Sequence, residues 1–219
     1  VFESKAETTR STIVFAQDKP LITSAKVNPN GGRDYKTKYF GDIHYELGGD
    51  YQDKNANTVL TACMELMNKN VIRDVDSVAK GFANVCESTG LMGRWQKLKD
   101  QPKVICDTGH NVGGWQYLAP QIAAQKCKTR RIVFGMVDDK DIDKVLSMMP
   151  RDAVFYWTQP SNKRAFPVEK VAEEAGKQGL SGRSFHSVKE AYNAALEDSE
   201  PEDFIFVGGS SYVVADLLS

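Results

Sequence analysis

Apolar and polar residues change rhythm twice along this chain. Residues 1–50 follow no single period: VFESKAETTR reads as helix, Thr12-Ile-Val-Phe-Ala16 as a strand, and Asn28-Pro-Asn-Gly-Gly32 as a turn. The stretch from Arg33 to Gly49 alternates loosely, as exposed β-structure does. From Asn55 the apolar residues of NANTVLTACMELMNK fall at 56, 59, 60, 63, 64, 66 and 67, which is helical spacing. A second helix is predicted over Val75–Asn84, and GLMG at 90–93 then breaks the pattern.

Beyond that break the chain turns regular. Compact apolar runs at 103–106, 131–137, 153–157 and 203–207 read as strands. Helical segments are predicted between them. Segment 141–149 places Ile142, Val145, Leu146 and Met149 on one face. Segment 167–178 opens on Pro167 as a first-turn residue, and 187–197 opens on a Ser187/Glu190 capping box. Pro120, inside WQYLAPQIAAQ, should kink its helix or delay the helix start. Strands alternating with helices of this length imply an α/β fold, a mainly parallel, Rossmann-like sheet with flanking helices. The chain is therefore divided near residue 92: 93–219 reads as a self-contained Rossmann-like unit and 1–92 as an incomplete domain. It opens at Val1 without an initiator methionine, in what reads as mid-helix, so we expect a part of a longer protein.

Composition narrows the function classes. A hydrophobic share of 41% and a charged share of 26% are those of an ordinary globular protein. The net charge of -1 supplies no global field for nucleic acid or an anionic membrane. The basic run Lys126-Cys-Lys-Thr-Arg-Arg131 is local and reads as a solvated loop. No apolar run approaches the ~18 residues of a membrane span, and no signal peptide is visible. Cys63, Cys86, Cys106 and Cys127 form no C-x-x-C pair, which points to reduced, mostly buried thiols and a cytoplasmic setting. His44, His110 and His186 are widely separated, so no metal site is expected within this chain.

Ligands of open α/β sheets gather outside the carboxyl ends of the strands. Three such ends carry polar or glycine-rich loops: Asp107-Thr-Gly-His-Asn111, Gly135-Met-Val-Asp-Asp-Lys-Asp141 and Gly208-Gly-Ser-Ser211. All three should open on one edge. Asp107 can accept from a ribose or hold a cation, and His110 can orient an anionic group or shuttle a proton. Gly113 and Gly114 allow close backbone approach, leaving helix amides for an anion. Ser210 can cap a helix or bind a carboxylate. Each feature alone is also ordinary turn and cap chemistry, and none is a dinucleotide fingerprint or a P-loop.

Taken in order, Gly93-Arg-Trp-Gln96, Asp107-x-x-His-Asn111, Phe134-Gly…Asp139-Lys-Asp141 and Gly209-Ser210 resemble the C-terminal domain of the folylpolyglutamate synthase/dihydrofolate synthase family, relatives of the Mur ligases. Upstream, Leu47-Gly-Gly-Asp-Tyr-Gln52 with Asn55-Ala56 is similar to the end of that family's central ATPase domain. The resemblance implies an ADP-forming carboxylate–amine ligase that joins L-glutamate to folate or dihydropteroate, with ATP and Mg2+, through an acyl phosphate. It places Arg94 on the ATP phosphates and Asn55 and Asp107 on the nucleotide. His110 and Ser210 would hold the incoming glutamate, with Arg94 and His110 as the catalytic pair. It also implies a monomeric full-length protein, with the metal ligands in an N-terminal half.

Two departures bear on this reading. The family's Asp-Gly-Ala-His-Asn-Pro stands here as Asp-Thr-Gly-His-Asn-Val, so the turn should differ in backbone shape. No glycine-rich loop ending in Lys-Ser/Thr is present, so this polypeptide alone is not expected to catalyse the ligation. The alternatives are a Mur-type amino-acid ligase of cell-wall precursors and a non-catalytic nucleotide-binding module.

Overall fold

A computed structural model of the chain describes residues 1–29, 31–137 and 141–219. It divides into two compact units, one of residues 1–46 with 51–88 and the other of 47–50 with 89–219.

The smaller unit begins with helix α1 (Phe2–Thr9), none of whose residues is buried. An antiparallel sheet follows, β1 (Ile22–Val27), β2 (Arg33–Thr37) and β3 (Asp42–Tyr45), in the order β1-β2-β3. Helices α2 (Gln52–Asn68), α3 (Val75–Ala83) and α4 (Val85–Thr89) complete it. Asp74 caps α3 by accepting from the Ser77 amide at 2.7 Å. Tyr45 and Phe82 then meet with ring centroids 4.8 Å apart, which seats α3 against β3. Arg33 forks onto both oxygens of Asp53, at 2.5 and 2.8 Å, tying β2 to the first turn of α2. The strand expected at Thr12–Ala16 is not formed. Those residues have no ladder partner, Ile13 and Val14 are exposed, and strand preference is expressed only where a neighbouring strand pairs.

The larger unit is built on a six-stranded sheet of β4 (Gln96–Asp100), β5 (Lys103–Asp107), β6 (Arg130–Phe134), β7 (Ala153–Thr158), β8 (Gly182–Phe185) and β9 (Phe204–Gly208). Their order is β4-β5-β9-β6-β7-β8; only the β4–β5 pair is antiparallel. The helices are α5 (Val112–Ala123), α6 (Ile142–Ser147), α7 (Val168–Lys177), α8 (Val188–Glu197) and α9 (Ser211–Leu218). The mainly parallel sheet with flanking helices expected from the alternation is thus present.

Alternation along the strands sorts the core into two layers. Val104, Cys106, Val133, Tyr156, Ile205 and Val207 pack with residues of α8 and α9. On the opposite face, Trp115 of α5 meets Phe134 and Phe206 edge-on, at 5.5 and 5.8 Å. The face expected for 141–149 is buried as read, with Ile142, Val145, Leu146 and Met149 all inside. Helix α5 runs through Pro120 from an undelayed start at Val112; the ring falls in its last turn. Pro167 is the N-cap of α7 rather than a first-turn residue. The basic run is not a solvated loop: Arg130 is buried and bonds the Ile122 and Ala123 carbonyls and Asp152, while Arg131 bridges to Asp203. Only Cys106 is fully buried among the cysteines, and burial, with the Asp107 charge beside it, pushes its thiol up to about 12.

Among the described residues no helix is long and apolar enough to cross a membrane.

Candidate functional site

Parallel pairing brings the strand ends into register: Asp107 of β5 lies opposite Gly208 of β9, and Gly208 opposite Phe134 of β6. The loops that follow therefore leave from one rim. Close approach fixes what the third loop can contain. Gly209 has φ +105°, and a Cβ there would lie 2.4 Å from the Gly135 carbonyl oxygen. The Asp138–Lys140 part of the second loop, which holds most of the Asp-Lys-Asp motif, lies outside the described residues.

Asp107 organises the turn from below. It is 1% exposed, and its two carboxylate oxygens accept from the Trp95 amide at 2.7 Å and the Gly109 amide at 2.8 Å. The Thr108 amide donates to the Gly93 carbonyl at 2.9 Å, and the Gly93 amide to the Gln96 side chain at 2.8 Å. These four bonds hold the Gly93–Gln96 turn against the end of β5. Arg94 sits between the anchored residues, half-buried, and its guanidinium makes no hydrogen bond or ion pair among the described residues.

His110 is exposed. Its Nδ1 lies 3.1 Å from the Thr108 carbonyl oxygen. A carbonyl only accepts, so Nδ1 carries the proton and Nε2 is the acceptor of the neutral ring. Asn111 caps α5 by accepting from the Gly114 amide at 2.9 Å. Gly113 and Gly114 each have room for a Cβ, with the nearest atom at 3.5 Å or more, so steric need does not explain the pair.

Ser210, 1% exposed, is the N-cap of α9, and its hydroxyl accepts from the Val213 amide at 3.1 Å. A groove of about 600 Å³ is lined by Arg94, Thr108 and His110 together with Val214, Ala215 and Leu218 of α9. That volume is ordinary for a ligand site. The four residues singled out in this unit thus divide by role. Arg94 and His110 line the groove; Asp107 and Ser210 are buried, do not line it, and hold the Gly93–Gln96 turn and the start of α9. Asn55 belongs to the smaller unit, exposed in the first turn of α2, where its side-chain amide donates to the Gln52 side chain at 3.1 Å. Thr108 also lines the groove, a place that its residue type in a turn does not signal. No group of three or more His, Cys, Asp or Glu side chains among the described residues is placed to hold a metal ion.

Comparison with known proteins supplies what geometry leaves open. The dihydrofolate synthase/folylpolyglutamate synthase of Escherichia coli is 32% identical over 169 residues, 75% of this chain and 37% of that protein. The structure of E. coli FolC in complex with DHPP and ADP matches with TM-score 0.68 and 27% identity, over 89% of this chain and 44% of that one. A Mycobacterium tuberculosis folylpolyglutamate synthase structure has TM-score 0.80 at 21% identity, over 98% and 51% of the two chains, a likeness of fold. The chain spans less than two-fifths of the E. coli relative's length. Residues 93–211 match the family described as "Mur ligase, glutamate ligase domain", and these residues include every groove residue except Val214, Ala215 and Leu218 among those named. By that match the chain belongs to the Mur ligase family, through its glutamate ligase domain.

Proposed function

We propose that this chain is the part of an ATP-dependent ligase that receives L-glutamate and joins it to the carboxylate of folate or dihydropteroate through an acyl phosphate. The observation that carries the reading is Arg94: a half-buried, uncommitted guanidinium held by a rigid turn in the same groove as His110. Support comes from the E. coli relatives, one named for this activity and one solved with DHPP and ADP.

Activating a carboxylate with ATP produces an acyl phosphate that water would destroy, so the amine must be delivered within a sheltered space. The apolar wall of α9 provides shelter on one side. Arg94 neutralises phosphate charge as it develops during transfer. Nε2 of His110, which the Asn111 side-chain amide approaches to 3.4 Å, takes one proton from the ammonium of the incoming glutamate. The freed amine attacks the acyl carbon, the acyl–phosphate bond breaks, and the departing phosphate carries off the second proton. Asp107 and Ser210 act by holding the turn and the helix start that carry these groups. Asn55, exposed in the first turn of α2, keeps the assignment to the nucleotide that the family pattern gives it. Mg2+ accompanying ATP would screen phosphate charge; the described residues hold no group of three or more His, Cys, Asp or Glu side chains placed for a metal ion. Residues 1–92 form the end of a central ATP-binding domain and 93–219 the glutamate-ligase domain. The polypeptide on its own does not complete the ligation.

The test is incorporation of labelled L-glutamate by the natural full-length protein, with ATP and with dihydropteroate, folate or a muramyl nucleotide as acceptor. Label should enter the pterin acceptors. Label entering only the muramyl nucleotide would identify a cell-wall ligase, and no ligation with any acceptor would leave a nucleotide-binding module.

A further inference from the structure

Among the described residues two buried side-chain polar atoms lack a protein hydrogen-bond partner, the hydroxyls of Thr108 and Thr158. Both lie on the ligand-facing rim: Thr108 directly follows β5, and Thr158 closes β7. Other buried polar side chains are engaged, as Asp107, Arg130, Asp203 and Ser210 show. A buried hydroxyl without a partner is destabilising, and such a group is retained where a water or ligand completes it.

The two threonines differ in what surrounds them. Thr108, 8% exposed, lines the groove with Arg94 and His110, whereas Thr158 does not. Every other part of Thr108 is committed. Its amide donates to the Gly93 carbonyl and its carbonyl accepts from His110 Nδ1. Its Cγ2 methyl lies 2.7 Å from where a Cβ on Gly93 would stand, which only a glycine at φ +72° allows. The hydroxyl alone is left over, on a residue that lines the groove.

We propose that Thr108 contacts the ligand directly: its hydroxyl donates a hydrogen bond to an anionic oxygen, of phosphate or carboxylate, bound beside Arg94. This rests on the ligase reading of the groove and adds to it a donor peculiar to the Asp-Thr-Gly-His-Asn-Val form of the turn.

The experiment is calorimetric titration of the natural full-length protein with ADP and, separately, with L-glutamate in the presence of ADP. Wild type is compared with Thr108→Val, Thr108→Ser and Thr158→Val. Thr108→Val should weaken one of the two ligands about tenfold, with an unchanged or raised thermal midpoint. Loss in the ADP arm assigns the oxygen to phosphate, and loss in the glutamate arm to carboxylate. Thr108→Ser should bind as wild type does, and Thr158→Val should leave both affinities unchanged. Folded Thr108→Val binding both ligands as tightly as wild type would overturn the proposal, as would equal weakening by Thr158→Val. Wild type that binds neither ligand would overturn the ligase reading, and this inference with it.

Discussion

The two units of this chain bury their apolar residues to very different degrees. In the larger one every residue of β9 is buried, and the aromatic layer around Trp115 has no exposed member among Phe134, Phe206 and Trp157. In the smaller one the 17-residue helix α2 buries only Gln52, Ala56 and Leu60, while Val59 and Leu66 stay exposed. Apolar area removed from water is the main favourable term in folding. The larger unit therefore has the more extensive core; the smaller has a lesser one, with Tyr35, Ile43, Tyr45, Leu60 and Phe82 buried and the Arg33–Asp53 pair beside it. A binding rim needs the first kind of support, because a turn is only as rigid as the strand ends beneath it.

The largest effect should come from the aromatic layer. Trp115→Ala should cost about 3–5 kcal/mol in urea unfolding, whereas Val59→Ala should change stability by less than about 0.5 kcal/mol. Similar losses in both would erase the contrast between the units.

An intermediate effect should appear in acid. Burial raises the pKa of Asp203, but the Glu200 amide, the Arg131 guanidinium and the Thr129 amide outweigh it, and the carboxyl is held below its usual range. A depressed folded pKa gives stability that is complete above the unfolded value near ~4 and is lost as pH falls through the folded one. Asp203→Asn should therefore cost about 1–3 kcal/mol at neutral pH and flatten the decline in stability below about pH 4. An acid limb as steep as wild type would contradict this.

The smallest effects lie in the helix caps, and they ask whether the units unfold independently. Ser187→Ala, which removes the cap of α8, should cost about 0.5–1 kcal/mol in the larger unit's transition. Asp74→Ala should lower the transition of the smaller unit and leave that of the larger in place. Both substitutions moving a single common transition would show one cooperative body.

What was legible in the sequence follows the same divide. The inner strands β5, β6, β7 and β9 are covered on both faces, so each is a short apolar run that stands out. The edge strands β4, QKLKD, and β8, GRSF, were invisible because an edge needs little apolar surface and favours charge. Thr12–Ala16 misled in the opposite direction, an apolar run without a partner strand. In the site, the shared rim could be read from the three loops at strand ends, His110 from its turn as well as from the family pattern, and Arg94 from the family pattern alone. The buried placement of Asp107 and Ser210, and the orphan hydroxyl of Thr108, could not be read at all. Which atom completes which hydrogen bond is decided by neighbours distant in sequence.

The central claim is that Arg94 serves phosphate in a glutamate-adding reaction. Its most direct test is kcat/KM for ATP-dependent glutamate addition by the full-length protein carrying Arg94→Ala. The account predicts a fall of about a hundredfold or more with the thermal midpoint unchanged, the scale expected when a charge-stabilising donor is removed. Wild-type turnover in that variant would contradict it.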